Sequence, residues 1–283
     1  MQQDDYRLVI KTSLIEKTEK EIEEINAALD EKLDWIKIAG ILLNHRLGGY
    51  FLFGLGEQQK RKVPKEIVKA LELLSLGQTV RQKELNSEIE KISESLEKTD
   101  IRYAGLKGVI FGTEMYQIGM RRSNDIDILV YEEDLDKIDN VLRGLGYIET
   151  NNKTTMIEAA KREKVIQRMN YHDLVPYIKK IDDNFIEIDI NFLFDGKDNL
   201  IDKKVFELGT KNYIGNEYAF RGLNPYTNLS FLCVHFYREA TGDIWIKRKR
   251  NITLYKLVDI LNYVRKYKRQ MEAAALIEVF QSL

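Results

Sequence analysis

Two aspartates, Asp125 and Asp127, lie two residues apart in a run that is typical of a β-strand. Side chains at positions i and i+2 of a strand point to the same face of a sheet, so these carboxylates should stand side by side. Such close negative charges repel each other unless a positive charge lies between them. A hard divalent cation such as Mg2+ or Mn2+, which takes oxygen ligands, would meet this need. The alternative explanations are a solvent-facing strand surface and a helix cap.

A third carboxylate comes from a later strand-like run, Ile186 to Phe192. There Glu187, Asp189 and Asn191 share one face and the apolar residues share the other. Three carboxylates from neighbouring strands can hold two divalent ions, which clamp the attacking and leaving oxygens of an in-line phosphoryl displacement. The third acid can also deprotonate an attacking hydroxyl. The polar outer face of a half-buried sheet would explain the same alternation without any function.

Residues upstream of the aspartate pair have the chemistry of phosphate binding. Gly108 would let the backbone approach a phosphate, and a helix beginning there would present free N–H groups. Lys107 would add a point charge, and Arg121 could grip phosphate oxygens with two hydrogen bonds. The alternatives are a plain turn glycine, a solvated lysine, and a salt bridge from Arg121 to Asp125 or Glu114.

The segments that carry these residues predict an α+β fold of three regions. Residues 1–98 read as a helical region, 99–196 as the core with a small mixed β-sheet, and 197–283 as a second helical region. In the middle region the order strand, helix, strand, helix, strand, strand predicts a mixed sheet backed by helices. The last two strands should form a hairpin that turns at residues 182–184.

Helical periodicity makes more detailed predictions at the flanks of the sheet. Pro64 fits the first turn of a helix that runs through Leu74, and a separate helix is predicted from Thr79 to Leu96. The segment Leu229 to His235 and the tail from Gln270 to Leu283 also favour helices.

Composition limits the class of protein. The chain has 44 basic and 45 acidic residues, and a net charge of −1 argues against non-specific coating of nucleic acid. The single cysteine, Cys233, excludes an intrachain disulfide and fits a reducing compartment. No secretory signal or membrane-spanning run is apparent, so we expect a cytoplasmic protein without membrane partners. The basic cluster Lys247–Arg250 could contact a triphosphate, an RNA backbone or an acidic acceptor, or form a solvated loop.

The central motifs resemble those of a known family. Leu106-Lys107-Gly108 is followed by Tyr116, by Gly119-Met120-Arg121 and by the acidic strand Asp125–Val130. This order is similar to that of bacterial nucleotidyltransferase-like proteins within the DNA polymerase β superfamily. The chain departs from the wider superfamily, which usually has Gly-Ser where this chain has Lys107-Gly108.

The resemblance implies a polymerase β-like nucleotidyltransferase core and assigns roles to its residues. The acids implied to be catalytic and to bind metal are Asp125, Asp127 and Asp189. The residues implied to lie at the triphosphate are Lys107, Gly108, Arg121 and Ser123.

The expected activity is a metal-dependent transfer of a nucleoside monophosphate from a nucleoside triphosphate, with ATP the expected one, and release of pyrophosphate. The acceptor would be a hydroxyl of a small molecule, a peptide or RNA. The alternatives are an inactive nucleotide-binding module and a toxin or defence transferase that acts on RNA. The sequence is compatible with a monomer and with an oligomer.

Overall fold

The computed structural model describes residues 2–194, 205–268 and 270, which fall into two compact units. The helical unit comprises the described residues of Met1–Gln82, Tyr116–Arg122 and His235–Arg269. The sheet unit comprises those of Lys83–Met115, Ser123–Val234 and Gln270–Leu283. The division into three regions, at residues 98 and 196, stays a prediction.

The helices are numbered along the chain. They are α1 Gln2–Thr12, α2 Glu19–Leu29, α3 Trp35–Asn44, α4 Gly48–Gly54, α5 Glu57–Lys60, α6 Lys65–Leu96, α7 Gly108–Glu114, α8 Leu135–Gly144, α9 Lys161–Asn170, α10 Pro225–Thr241, α11 Asp243–Lys247 and α12 Leu254–Tyr267. Helices α6 and α10 contribute residues to both units. No helix in the described part of the chain is both long and apolar enough to cross a membrane.

The sheet unit is built on one mixed sheet of seven described strands. The strands are β1 Tyr103–Gly105, β2 Ile126–Val130, β3 Ile148–Glu149, β4 Tyr177–Ile181, β5 Asn184–Asn191, β6 Thr210–Ile214 and β7 Ala219–Leu223. Their order across the sheet is β3-β4-β5-β2-β1-β7-β6. The pairs β2–β5 and β1–β7 are parallel, and the other neighbours are antiparallel. This architecture confirms the predicted α+β class.

Strand alternation separates the two faces of the sheet. Apolar side chains of β2 and β5 pack on one face against the second half of α6 and against α8; they are Ile126, Ile128, Val130, Ile186, Ile188 and Ile190. The intervening residues Asp127 and Leu129 therefore point to the opposite face. On that face Leu129 joins a smaller apolar cluster with Phe194 and Phe231. The apolar positions of β2 thus determine the face of the sheet to which Asp127 points.

Helix α6 differs from the prediction of two helices in this part of the chain. It is one helix of 32 residues that passes through Gly77. The prediction of a separate helix from Thr79 was wrong because a glycine costs a helix about 1 kcal/mol without ending it. Leu71, Ser75, Gln82 and Leu85 are buried at helical spacings across this point, so packing continues through it.

The β6–β7 hairpin lies within residues 197–283, for which the sequence pattern predicted helices. Its strands alternate in burial only over a few positions, with Tyr213 and Phe220 buried and their immediate neighbours exposed or half-buried. Strand β7 enters the sheet through parallel pairing with β1, in which Gly105 lies opposite Gly222. The predicted tail helix, Gln270–Leu283, lies outside the described residues apart from residue 270.

Candidate functional site

The parallel pairing of β2 and β5 brings two of the predicted acids together. Asp127 lies directly opposite Asp189 in the register of the two strands. Paired residues of neighbouring strands project to the same face of a sheet, so both carboxylates lie on the face opposite α6 and α8. Asp127 is 3 % exposed and Asp189 is half-buried. The strand backbones therefore fix two acids at adjacent positions before any ligand is considered.

Asp125 completes the group from the end of the segment that precedes β2. It is exposed, one residue outside the strand. Burial, followed by the charges of Asp127 and Asp125, raises the pKa of Asp189 well above its usual range, while Lys107 acts in the opposite direction. These effects show that the three acids and the lysine belong to one electrostatic group.

Lys107 supplies the positive charge of this group. Its ammonium Nζ lies 2.6 Å from Oδ1 of Asp127 and 6.0 Å from the centre of the Phe231 ring. Burial acts to lower the pKa of Lys107, but the charges of Asp127 and Asp125 outweigh it and the pKa is raised. The side chain is therefore a charged lysine inserted among carboxylates.

The backbone at Lys107 has an unusual conformation. Its φ of 45° and ψ of −116° correspond to the first central position of a type II′ turn, where glycine is usual. Gly108 follows and begins α7, which is anchored by the buried side chains of Val109, Ile110 and Phe111. The turn is tied to β2 by a hydrogen bond of 3.0 Å from the Leu106 N–H to the carbonyl of Asp127.

The two other residues predicted at the triphosphate fall in different units. Ser123 is half-buried in the sheet unit, two residues before Asp125. Arg121 belongs to the helical unit, where its Nε lies 3.0 Å from Oδ2 of Asp259. Burial acts to lower the pKa of Arg121, but Asp259 holds it well above its usual range.

Asp259 is the centre of a buried polar network in the helical unit. The hydroxyls of Tyr50 and Tyr116 donate to its Oδ1 at 2.7 and 2.8 Å, and Asn262 donates to the Tyr116 hydroxyl at 3.2 Å. No role for Asp259 was predicted from the sequence. The available signal was an acid on the apolar face of α12, where Val258 and Tyr263 are buried.

The donor chemistry of the sheet-unit group suits a divalent cation. Three carboxylates and one ammonium leave an excess of negative charge when all are ionised, and carboxylate oxygens are the ligands that Mg2+ and Mn2+ prefer. Within residues 2–194, 205–268 and 270, no three His, Cys, Asp or Glu side chains are already arranged as a metal site. Instead, Oδ1 of Asp127 accepts a hydrogen bond from the Lys107 ammonium.

Comparison with known proteins gave one informative match. Neither the curated proteins nor the solved structures contained a significant match to this chain. A family model described as "Uncharacterised nucleotidyltransferase" matches residues 31–283, which is most of the chain and includes every residue of the group around Asp127. The chain therefore belongs to this family of nucleotidyltransferases.

Proposed function

We propose that the protein transfers a nucleoside monophosphate from a nucleoside triphosphate to a hydroxyl acceptor and releases pyrophosphate. Asp125, Asp127 and Asp189 would hold divalent cations. The observation that carries this proposal is the placement of Asp127 beside Asp189 on parallel strands, with the Lys107 ammonium 2.6 Å from Asp127. Membership of a nucleotidyltransferase family supports the reaction class.

The proposed chemistry is a single displacement at phosphorus. The acceptor oxygen forms a bond to the α-phosphorus, and the bond from that phosphorus to the oxygen bridging the α- and β-phosphates breaks. Pyrophosphate leaves with the electron pair of the broken bond, and Asp189 takes the proton of the attacking hydroxyl. Divalent cations, when bound, would offset the negative charge of the phosphates.

Lys107 and the turn that follows it would bind the leaving phosphates. The Lys107 ammonium can leave the carboxylate of Asp127 for a phosphate oxygen, because both are negatively charged hydrogen-bond acceptors. Gly108 and Ser123 are proposed to line the same phosphates. Arg121 lies in the helical unit, and its role as a phosphate ligand is predicted from the sequence alone.

Pyrophosphate release tests the proposal. The protein is incubated with each of the four nucleoside triphosphates, with Mg2+ or Mn2+, and with mixtures of small hydroxyl compounds, peptides or RNA. We expect release with at least one combination, and Asp127→Asn should lower its rate by about 100-fold or more because electrostatic stabilisation of the displacement is lost. Asp183→Asn removes an exposed carboxylate from the β4–β5 turn and should leave the rate unchanged.

Two results would count against the proposal. Full turnover by Asp127→Asn would remove Asp127 from the reaction. Tight nucleotide binding by the unchanged protein, without pyrophosphate release under any of these conditions, would favour an inactive nucleotide-binding module.

A further inference from the structure

Charge is divided very unequally between the two units. The chain as a whole has 44 basic and 45 acidic residues. The ranges that form the helical unit contain 25 Lys and Arg against 16 Asp and Glu, whereas those of the sheet unit contain 19 against 29. The nearly neutral total therefore conceals one strongly basic unit, and a basic surface attracts polyanions.

The most concentrated basic feature of the helical unit is the basic turn, defined as Lys247, Arg248, Lys249 and Arg250. It comprises the last residue of α11 and the three residues that follow, and all four side chains are exposed. Within the described part of the chain none of the four forms an ion pair, whereas Arg265 is held by Glu21 and Lys256 by Glu239. Four adjacent like charges repel one another, so an anionic partner would relieve a repulsion that the described residues leave unbalanced.

Exposed apolar side chains accompany the basic turn. The Asn251 amide donates to the carbonyl of Ala240 at 3.4 Å, which holds the turn against the end of α10. One turn earlier on α10, Tyr237 is 70 % exposed, and Ile244 and Ile246 of α11 are 55 % and 47 % exposed. An exposed ring near a row of cations is the combination with which proteins bind single-stranded nucleic acid: cations follow the phosphates and the ring stacks on a base.

We propose that the basic turn and Tyr237 form a binding surface for single-stranded RNA. An anionic membrane is less suitable because it offers charge but no base on which the exposed ring could stack, and the five-residue α11 presents no extended apolar helix face to lipid. The choice of RNA over DNA rests on the proposed function, since RNA offers a hydroxyl acceptor on every ribose. This surface would make RNA the acceptor class of the transferase.

Fluorescence anisotropy with a labelled, mixed-sequence RNA 20-mer tests this surface without turnover. The protein is the full chain carrying Asp127→Asn, without nucleoside triphosphate, at 50 to 200 mM salt. We expect binding that weakens with salt, with a slope of log affinity against log salt near −3, which corresponds to about four phosphate contacts on a single strand.

Matched variants locate the surface. Changing Lys247, Arg248, Lys249 and Arg250 together to Gln should lower the affinity by about 10-fold or more and flatten the salt slope. Changing Lys20, Lys32, Lys65 and Lys69 together to Gln removes the same charge from the same unit, also at exposed positions without described ion pairs, and should change the affinity little. Tyr237→Ala should lower the affinity by about 5-fold or more through lost stacking.

Several outcomes would overturn the inference. They are equal or tighter binding of a DNA 20-mer of the same sequence, tighter binding to vesicles of anionic lipid than to RNA, an equal loss of affinity in the two quadruple variants, and no RNA binding at 50 mM salt. Failure of the proposed function is distinguishable, because it would appear as absent pyrophosphate release while RNA binding persisted.

Discussion

At the level of single residues, Lys107 combines an unfavourable backbone conformation with a favourable ion pair to Asp127. A non-glycine residue in its conformation costs about 1–3 kcal/mol. Its ammonium lies 2.6 Å from Oδ1 of Asp127, and breaking such a buried ion pair would cost more than the strain. Backbone strain of this kind is common where a side chain must be held for function.

Lys107→Met should make the stability of the protein depend more strongly on divalent cations. Without the ammonium, Asp127 loses its ion pair with Lys107, so the melting temperature in EDTA should fall, and breaking such a buried pair costs about 3–5 kcal/mol. Added Mn2+ can then replace the lost charge, so the increase in Tm between EDTA and Mn2+ should be larger than in the unchanged protein. Differential scanning fluorimetry measures both quantities.

Lys179→Met provides the matched control, since it removes an ammonium that lies 2.9 Å from buried Glu88 in the same unit. It should lower the Tm without increasing the response to Mn2+. Equal Mn2+ responses in the unchanged protein and in Lys107→Met would contradict the role given to Lys107.

At the scale of elements, sequence periodicity predicted the sheet core better than its edges. Strands β2 and β5 alternate between apolar and polar residues around the acids, over Ile126–Ile128 and Ile186–Asn191, and these apolar positions determine the face on which Asp127 and Asp189 lie. The β6–β7 hairpin was missed because its strands are short and because β1, with which β7 pairs, lies more than 100 residues earlier. Local pattern carries no information about such a distant partner.

The limited reach of local sequence patterns also explains which parts of the candidate site could be predicted. The acids and Lys107 are visible as residue types with strand spacing, so sequence reasoning can nominate them. The conformation of Lys107 and the pairing of Arg121 with Asp259 depend on tertiary packing across long separations, and no local spacing encodes them.

Helix α2 offers a pH-dependent prediction at the scale of one element. Thr18 and Glu21 form a capping box at its start, and both carboxylate oxygens of Glu21 accept hydrogen bonds from the Arg265 guanidinium. The hydrogen bond from Arg265 is the main cause that lowers the pKa of Glu21 to about 2. A depressed folded-state pKa stabilises the protein above the unfolded pKa of about 4.3, and this stability is lost as pH falls towards 2.

Glu21→Gln preserves the capping geometry but removes the charge. It should lower the free energy of unfolding by about 1–3 kcal/mol at pH 7, and the difference from the unchanged protein should shrink as pH falls from 5 to 3. Urea unfolding at several pH values measures this difference. A difference that stays constant from pH 7 to pH 3 would show that the Glu21 charge is not its cause.

At the scale of the whole molecule, the two units differ in charge and in their intrinsic reporters. Both tryptophans, Trp35 and Trp245, belong to the helical unit. Tryptophan fluorescence therefore reports unfolding of that unit, whereas circular dichroism reports both. This distribution allows the buried network around Asp259 to be tested without labels.

Asp259→Asn should lower the urea midpoint of the tryptophan fluorescence transition. The change breaks the 3.0 Å ion pair between Asp259 and the buried Arg121 guanidinium, and breaking a buried pair in this way costs about 3–5 kcal/mol. Asp243→Asn removes an exposed acid from α11 in the same unit and should leave the midpoint within error. An unchanged midpoint in Asp259→Asn would mean that the ion pair adds little to the stability of the helical unit.

The parallel pairing of β2 with β5 also has a consequence for the order of events during synthesis. Asp127 and Asp189 are neighbours across the sheet but 62 positions apart along the chain. A nascent polypeptide that has left the ribosome only as far as β2 carries one partner of this pair and cannot complete it. Closing such a long loop is slow relative to forming local helices, so the proposed nucleotidyl transfer should begin only late in folding, after β5 has been translated and inserted.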